Sequence, residues 1–300
     1  MRWTFAEWRS ELQLPFGASW LAESEALVGA GEVVARGTSY RTTRRIAAAK
    51  LLRCPPEGVR ALLRVGVGDM VRAGSLLARA GRRFARAIVA PEDGRLVHVD
   101  ANGDLHVASV RGGWEVRASI DGRVTRADPR VVAIEGASWA LEGLAGYGPD
   151  RAGPLAIAVG SSDEELAPSR LAVELRASIL VGGRRASGEA LTRAHAVGVS
   201  GVVTAAVSFR SLVTIYGENV SAFGHPTLDD LPTVLVLGAF GRAPFPGAVF
   251  AALRELAGAR AAIDTRNARL HVFAPERASV PVAPSLELEE DLSGARLARG

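Results

Sequence analysis

Residues 63–99 alternate short apolar runs with closely spaced turn signals, and this rhythm restricts them to small, tightly turned β-structure. Apolar residues recur at alternate positions, which is the period of a half-buried strand. Gly68 and Gly74 interrupt the runs, and glycine readily adopts the positive φ that tight turns require. A further turn is indicated by Pro91-Glu92-Asp93-Gly94. The stretch therefore predicts short strands joined by tight turns.

The order of these residues resembles a known scaffold. The pattern Val-x-x-Gly-Asp-x-Val-x-x-Gly-x-Leu-Leu-Ala begins at Val65, and Ala-Pro-x-x-Gly-x-Leu begins at Ala90. Together they resemble the barrel-sandwich hybrid of biotinyl and lipoyl domains. They also resemble the related non-carrier modules of membrane-fusion proteins and of RnfC-type electron-transport subunits. The resemblance implies a β-rich scaffold of that kind.

The same resemblance implies that no prosthetic arm is attached. Carrier domains place a lysine at a hairpin tip between the two halves, and here that segment, residues 80–86, reads Ala-Gly-Arg-Arg-Phe-Ala-Arg. Arginine remains protonated and is not acylated as lysine is. Lys50 is the only lysine among the 36 Lys and Arg residues. We expect the protein to be neither lipoylated nor biotinylated, and we predict no cofactor.

Over residues 30–275 the chain resembles an uncharacterised bacterial family that joins such a β-rich half to an α/β half through a glycine-rich stretch. The motifs of that family in the α/β half are Val-Gly-Gly, Gly-Val-x-Gly-Val-Val and Gly-x-Phe-Gly-x-x-Pro. They begin here at Val181, Gly198 and Gly238. The resemblance implies a fold and no particular activity.

The remaining pattern predicts an α+β protein. Residues 1–25 indicate a helical lead-in, residues 26–37 a hairpin and residues 41–53 a helix. From residue 155, apolar strands alternate with helices, which is typical of a mostly parallel sheet covered on both faces. The predicted parts are a lead-in (1–25), a barrel-sandwich-hybrid-like β domain with one helix (26–150), an α/β domain (151–276) and a flexible tail (277–300).

Composition points to a cytoplasmic protein. The N-terminus lacks a basic stretch followed by an apolar core, and no apolar run reaches membrane-spanning length, so we expect neither a signal peptide nor membrane insertion. Cys54 is the only cysteine, so no internal disulfide can form.

Two βα turns are candidates for anion binding. Gly182, Gly183, Arg184 and Arg185 follow one predicted strand, and Gly238, Gly241 and Arg242 follow another. Glycines expose backbone amides, helix N-termini carry partial positive charge, and arginine offers a bidentate fork. If both turns lie at one edge of the sheet, they form an anion site. The alternative is that the glycines serve only to reverse the chain.

A basic segment is the candidate for binding a partner. Residues 41–86 contain twelve basic residues and two acidic ones, a net charge of +10. Such an excess attracts an acidic protein surface or a nucleic acid, and the alternative is an ordinary solvated surface. Few aromatic residues accompany the arginines, which favours a protein over a nucleic acid. The candidate residues are Arg79, Arg82, Arg83 and Arg86.

A third candidate is a metal site around the hairpin tip Ala101-Asn102-Gly103. With a three-residue loop, His98, Asp100, Asp104 and His106 share one face, and these side-chain types bind divalent metals. The alternative is the solvated face of an amphipathic hairpin.

These features favour a non-catalytic binding or scaffold protein that docks on a macromolecular partner through the basic segment. One alternative is an enzyme or sensor that binds a small anion at the α/β domain, and a second is nucleic-acid binding. The sequence contains no Gly-x-Ser-x-Gly, His-Glu-x-x-His or P-loop motif, so we predict no catalytic residue. The oligomeric state stays open.

Overall fold

The computed structural model describes residues 3–81 and 85–274. Its strands are β1 Trp3–Gln13, β2 Ala18–Leu21, β3 Leu27–Val28, β4 Val33–Ile46, β5 Met70–Val71, β6 Leu76–Ala80, β7 Arg86–Val89, β8 Gly94–Val99, β9 Leu105–Arg117, β10 Gly122–Ala127, β11 Val131–Glu142, β12 Ala145–Gly148, β13 Arg151–Ile157, β14 Glu165–Leu166, β15 Ile179–Val181, β16 Arg185–Ala186, β17 Gly201–Val207, β18 His225–Pro226, β19 Val234–Phe240, β20 Arg260–Asp264 and β21 Arg269–Phe273. Its α-helices are α1 Ala48–Leu52, α2 Val59–Leu62, α3 Gly188–Val197, α4 Phe209–Tyr216 and α5 Gly247–Glu255.

The described residues form two compact units. The larger unit comprises residues 3–13, 22–34 and 116–274, and the smaller unit comprises residues 14–21, 35–81 and 85–115. This division does not follow the expected boundary near residue 150. The reason is strand pairing, because β11 lies before that boundary and pairs with β21 after it.

The centre of the larger unit is a mixed sheet. Neighbouring strands β13, β15, β17 and β19 run parallel, whereas β12 and β20 pair antiparallel with β19 and β13. The α+β class predicted from the sequence is confirmed. Every residue of β17 is buried, which explains why its apolar residues occupy successive rather than alternate positions.

The N-terminal segment differs from its prediction. The prediction of a helix at the N-terminus is wrong, because this segment forms strand β1. β1 pairs antiparallel with β11 along its whole length, from Trp3 opposite Leu141 to Gln13 opposite Val131. Aromatic residues of this segment pack instead against the neighbouring strand β11. Trp3 stacks on Trp139 with ring centroids 5.6 Å apart.

Two further elements of the first half also differ. The predicted hairpin at residues 26–37 does not form, since β3 pairs with β10 while β4 pairs with β2. The predicted helix at residues 41–53 begins only at Ala48, because the preceding residues continue β4. Local propensities are weak preferences, and strand pairing between distant residues overrides them at both places.

The smaller unit contains a five-stranded sheet, β2-β4-β9-β8-β5, and the two-stranded sheet β6-β7. Buried side chains of Leu52, Leu77 and Leu96 contribute to its core. The predicted turn glycines Gly68 and Gly74 have φ values of +103° and +81°. The predicted tail at residues 277–300 lies outside the described residues.

Gly94 shows why a glycine is needed where two strands meet closely. A Cβ atom on Gly94 would lie 2.6 Å from the Ala108 carbonyl oxygen and 2.9 Å from Val107 Cγ1. Gly112 lies in the same unit, and a Cβ atom there would meet nothing within 4 Å.

We therefore expect Gly94→Ala to lower the free energy of unfolding by about 2 kcal/mol or more, because β8 and β9 must separate to admit the methyl group. Gly112→Ala is the matched control and should change it by less than about 1 kcal/mol. Denaturant unfolding of the two variants checks this, and equal destabilisation would contradict the steric argument.

Candidate anion-binding site

The two candidate turns lie at one edge of the sheet in the larger unit. Strands β15, β17 and β19 run parallel in adjacent positions, with Val181 beside Val203 and Val207 beside Phe240. The carboxyl ends of parallel neighbours face the same edge, which is where open α/β sheets bind ligands. The turn after β15 contains Gly182–Arg184, and the turn after β19 contains Gly241 and Arg242.

The glycines at these turns have distinct structural reasons. Gly183 has φ +64°, and a side chain there would collide with the Glu164 carbonyl oxygen. Gly241 has φ +110°, and its amide donates to the Val207 carbonyl over 2.9 Å. Gly238, in contrast, lies within β19 rather than in the turn, because the strand extends to Phe240. The glycines therefore shape the chain reversals that carry the arginines.

The arginines of both turns line one cavity of about 280 Å³. Its wall consists of Asp163, Arg184, Arg185, Arg242, Ala243 and Pro244. The structure thus brings together side chains that are 57 to 58 positions apart in the sequence. Sequence reasoning missed Asp163, which lies in a loop before β14 and carries no motif.

The cavity is electropositive. Three arginines and one acidic residue, Asp163, are among the residues that line it. Arg184 Nη2 lies 3.0 Å from Glu165 Oε1, an ion pair whose two side chains are each 44% exposed. Arg185 Nε is buried without a hydrogen-bond partner. Among the described residues, neither Arg185 nor Arg242 forms an ion pair, so the guanidinium groups of both are available to bind an anion.

Helix α3 begins directly beyond Arg185 and Ala186. Its N-cap is Ser187, whose Oγ accepts a hydrogen bond from the Ala190 amide over 3.1 Å. The helix has ten residues and places the positive end of its dipole beside this turn. The N-cap and first turn of α3 are, however, not among the residues that line the cavity.

The histidine hairpin has the predicted register but is not a metal site. His98 lies opposite His106, as a three-residue loop requires, with ring centroids 5.8 Å apart. Asp100 Oδ2 lies 3.0 Å from His106 Nε2, while Asp100 Oδ1 accepts from the amides of Asn102 and Asp104. Asp104 pairs with Arg45 over 3.2 Å.

These hydrogen bonds and the ion pair engage the carboxylates of both Asp100 and Asp104. The hydrogen bond from His106, followed by that from the Asp104 amide, lowers the pKa of Asp100 to about 2. Within the described chain, no group of three or more His, Cys, Asp or Glu side chains could hold a metal ion. The metal prediction is therefore wrong, because Asp100 closes the turn and Asp104 faces Arg45.

Of the partner-binding candidates, Arg79 and Arg86 are exposed on the two strands β6 and β7. Arg82 and Arg83 lie outside the described residues. The described part of the chain has no helix long and apolar enough to cross a membrane.

A buried polar cluster in the larger unit was not anticipated. Asp264 Oδ2 accepts from Ser10 Oγ at 3.2 Å and from Asn267 Nδ2 at 2.8 Å. Asp150 Oδ1 accepts from the amide and the hydroxyl of Thr265 at 2.9 and 2.7 Å. Burial, and then the charge of Asp264, raises the pKa of Asp150 to about 7.

His271 belongs to the same region. Its Nδ1 lies 2.9 Å from Ser138 Oγ, and burial lowers its pKa to about 4. Perturbed pKa values also accompany functional sites. Here Asp264, Thr265 and His271 are buried and hydrogen-bonded to neighbouring polar groups, so we assign the cluster a structural role.

No protein-family model, no curated protein and no solved structure matches the chain. The proposed function therefore rests on the geometry of the site. The protein is of the α+β class and has an arginine-lined cavity at the carboxyl edge of a group of parallel strands.

The raised pKa of Asp150 generates a prediction about pH. Its folded pKa of about 7 exceeds the ordinary value of 3.8, so the folded state binds this proton more tightly. The contribution of Asp150 to stability is therefore lost as pH rises from about 4 to about 7. Asn keeps the oxygen that accepts from Thr265 but cannot ionise. We compare the free energy of unfolding of Asp150→Asn with that of the native protein at each pH. We expect this difference to increase by about 2 kcal/mol or more in favour of the variant between pH 4 and pH 8.

Unfolding by denaturant at a series of pH values measures this gain. The control is Asp229→Asn at an exposed position, which should leave the pH profile unchanged. A native-like profile for Asp150→Asn would show that Asp150 ionises normally.

Proposed function

We propose that the protein binds a small organic or inorganic anion in the cavity between the turns that follow β15 and β19. The single observation that carries the proposal is the convergence of Arg184, Arg185 and Arg242 on one cavity. Arg184 and Arg242 come from the two turns and Arg185 from β16, all at the sheet edge where α/β folds bind ligands.

The wall of the cavity indicates the class of ligand. Guanidinium groups recognise carboxylates and phosphates through paired hydrogen bonds. A volume of about 280 Å³ is small among ligand sites, which favours a small phosphate- or carboxylate-bearing compound over a large nucleotide cofactor. Asp163 supplies an acceptor for a hydroxyl or ammonium group on the same ligand.

The proposed role is binding, as a sensor or an anion-responsive scaffold. The described wall offers one carboxylate and no histidine, cysteine or serine, so it lacks the nucleophile and base pair of a hydrolytic site. A cytoplasmic location stays a prediction from the sequence, and an enzyme and a nucleic-acid-binding protein stay the two alternatives to the proposed role.

For the smaller unit we propose a biotinyl/lipoyl-like scaffold without a carrier lysine. The positive φ angles of Gly68 and Gly74 support it, since both glycines belong to the pattern that carries the resemblance. The β6–β7 pair also supports it, because the segment between these strands is where a carrier lysine would stand.

We expect the intact mass of the protein, purified from its native host, to equal that of the unmodified chain. Lys50 is exposed in α1, outside the segment where carrier domains are modified. A mass increment matching lipoate or biotin on Lys50 would overturn the carrier-free assignment.

Anion binding is tested by calorimetry and thermal unfolding with inorganic phosphate, a triose phosphate and a hydroxycarboxylate. A ligand at 100 times its dissociation constant should add about 2.7 kcal/mol of stability. Arg185→Gln and Arg242→Gln should each weaken binding about tenfold, the effect of losing about 1.4 kcal/mol.

Arg193→Gln is the matched control, because Arg193 is exposed on α3 and does not line the cavity. Its affinity should stay within about twofold of the native value, a difference of under about 0.5 kcal/mol. Equal losses of affinity in all three variants would show that binding depends on overall charge rather than on the cavity. If none of the probes binds, the proposal is refuted.

A further inference from the structure

The smaller unit contains an open groove of about 680 Å³ that shares no lining residue with the proposed anion cavity. One wall is β7 with Pro91, and the other is the stretch from Arg44 to Ala47 together with Leu51 of α1. All of these residues belong to the smaller unit.

The groove exposes aliphatic side chains. Leu51 is 54% exposed and Val89 is 50% exposed, and both line the same groove. Burying such surface against a partner is favourable by about 25 cal/mol per Å². Adjacent exposed aliphatic groups framed by charged residues are typical of a binding groove.

Arginines surround this apolar surface. Arg44 and Arg45 line one wall and Arg86 lines the other. Arg44 pairs with Glu92 over 2.7 Å and Arg45 with Asp104 over 3.2 Å, but the arginine side chains are 65% and 66% exposed. In the described part of the chain Arg86 has no ion pair, and it is exposed.

One edge of strand β7 is not paired with any described strand. It pairs with β6 in a two-stranded sheet, so in the described structure only one of its edges is hydrogen-bonded to a strand. Free edges of this kind accept extended segments from other proteins.

We infer that this groove binds an extended, acidic segment of a partner protein. Carboxylates of the segment pair with Arg86, Arg44 and Arg45, and its aliphatic side chains cover Leu51 and Val89. Charge complementarity selects the acidic partner, since the described lining of the groove includes three arginines and no acidic residue.

The floor of the groove favours a protein over a nucleic acid. Those of its lining residues that the structure describes are aliphatic and basic, and none of them is aromatic. Single-stranded nucleic acids are held largely by stacking of bases on aromatic rings, whereas aliphatic surface matches leucine and valine side chains.

The experiment measures binding of fluorescent peptides to the full chain by anisotropy. The probe is Val-Glu-Leu-Glu-Val-Asp-Leu, and its control replaces Glu and Asp with Gln and Asn. We expect the acidic peptide to bind at least about tenfold more tightly than the neutral one, and its affinity to fall with salt.

Variants locate the binding surface. Arg86→Glu should weaken peptide binding about tenfold, and Val89→Thr, which keeps a β-branched shape, about threefold. The matched control is Arg64→Glu, a charge reversal at an exposed arginine of the same unit that does not line the groove. It should change the affinity by less than about twofold.

Three results would overturn the inference. Equal losses for Arg64→Glu and Arg86→Glu would indicate general charge attraction. Tighter binding of a mixed-sequence RNA than of the peptide, weakened by Arg86→Glu, would assign the groove to nucleic acid. No peptide binding at millimolar concentration would show that the groove is not a docking surface. None of these outcomes depends on the arginines of the anion cavity, so the two proposals fail independently.

Discussion

The parallel pairing of β15, β17 and β19 is the constraint on which the candidate site depends. Val181 pairs alongside Val203, and Val207 alongside Phe240, so the chain leaves β15 and β19 at one edge. β17 between them is buried throughout, and this burial stabilises the alignment. The arginines converge because the strands before them are held in parallel, not because they are near one another in sequence.

Buried polar groups impose a second constraint on the larger unit. Asp150 has a raised pKa and His271 a lowered one, both chiefly because of burial. Asp150 destabilises the fold as it ionises at higher pH, and His271 does so as it gains a proton at lower pH. Between about pH 4 and pH 6.5 the two contributions therefore oppose each other, because rising pH weakens the one from Asp150 and strengthens the one from His271.

Sequence patterns located the parts of the site but not the whole. The Gly-Gly-Arg-Arg turn at Gly182 and the arginine after Gly241 were found because glycine turns and arginines have recognisable chemistry. Asp163 was missed, because a lone aspartate in a loop gives no signal until the fold brings it to the cavity wall. The histidine hairpin shows the opposite failure. Its register was predicted, but the direction of Asp104 toward Arg45 depends on a strand far away in the chain.

The sequence by itself determined the turns at Gly68 and Gly74, the fully buried character of β17 and the lack of a lysine in residues 80–86. Each is a local property of backbone conformation, hydrophobic pattern or side-chain identity. Only the tertiary structure decided that β1 is a strand and that Arg185 and Arg242 share a cavity. The physical reason is that strand pairing and cavity formation depend on contacts between residues remote in sequence, and their free energy exceeds the small local preferences of the segments involved.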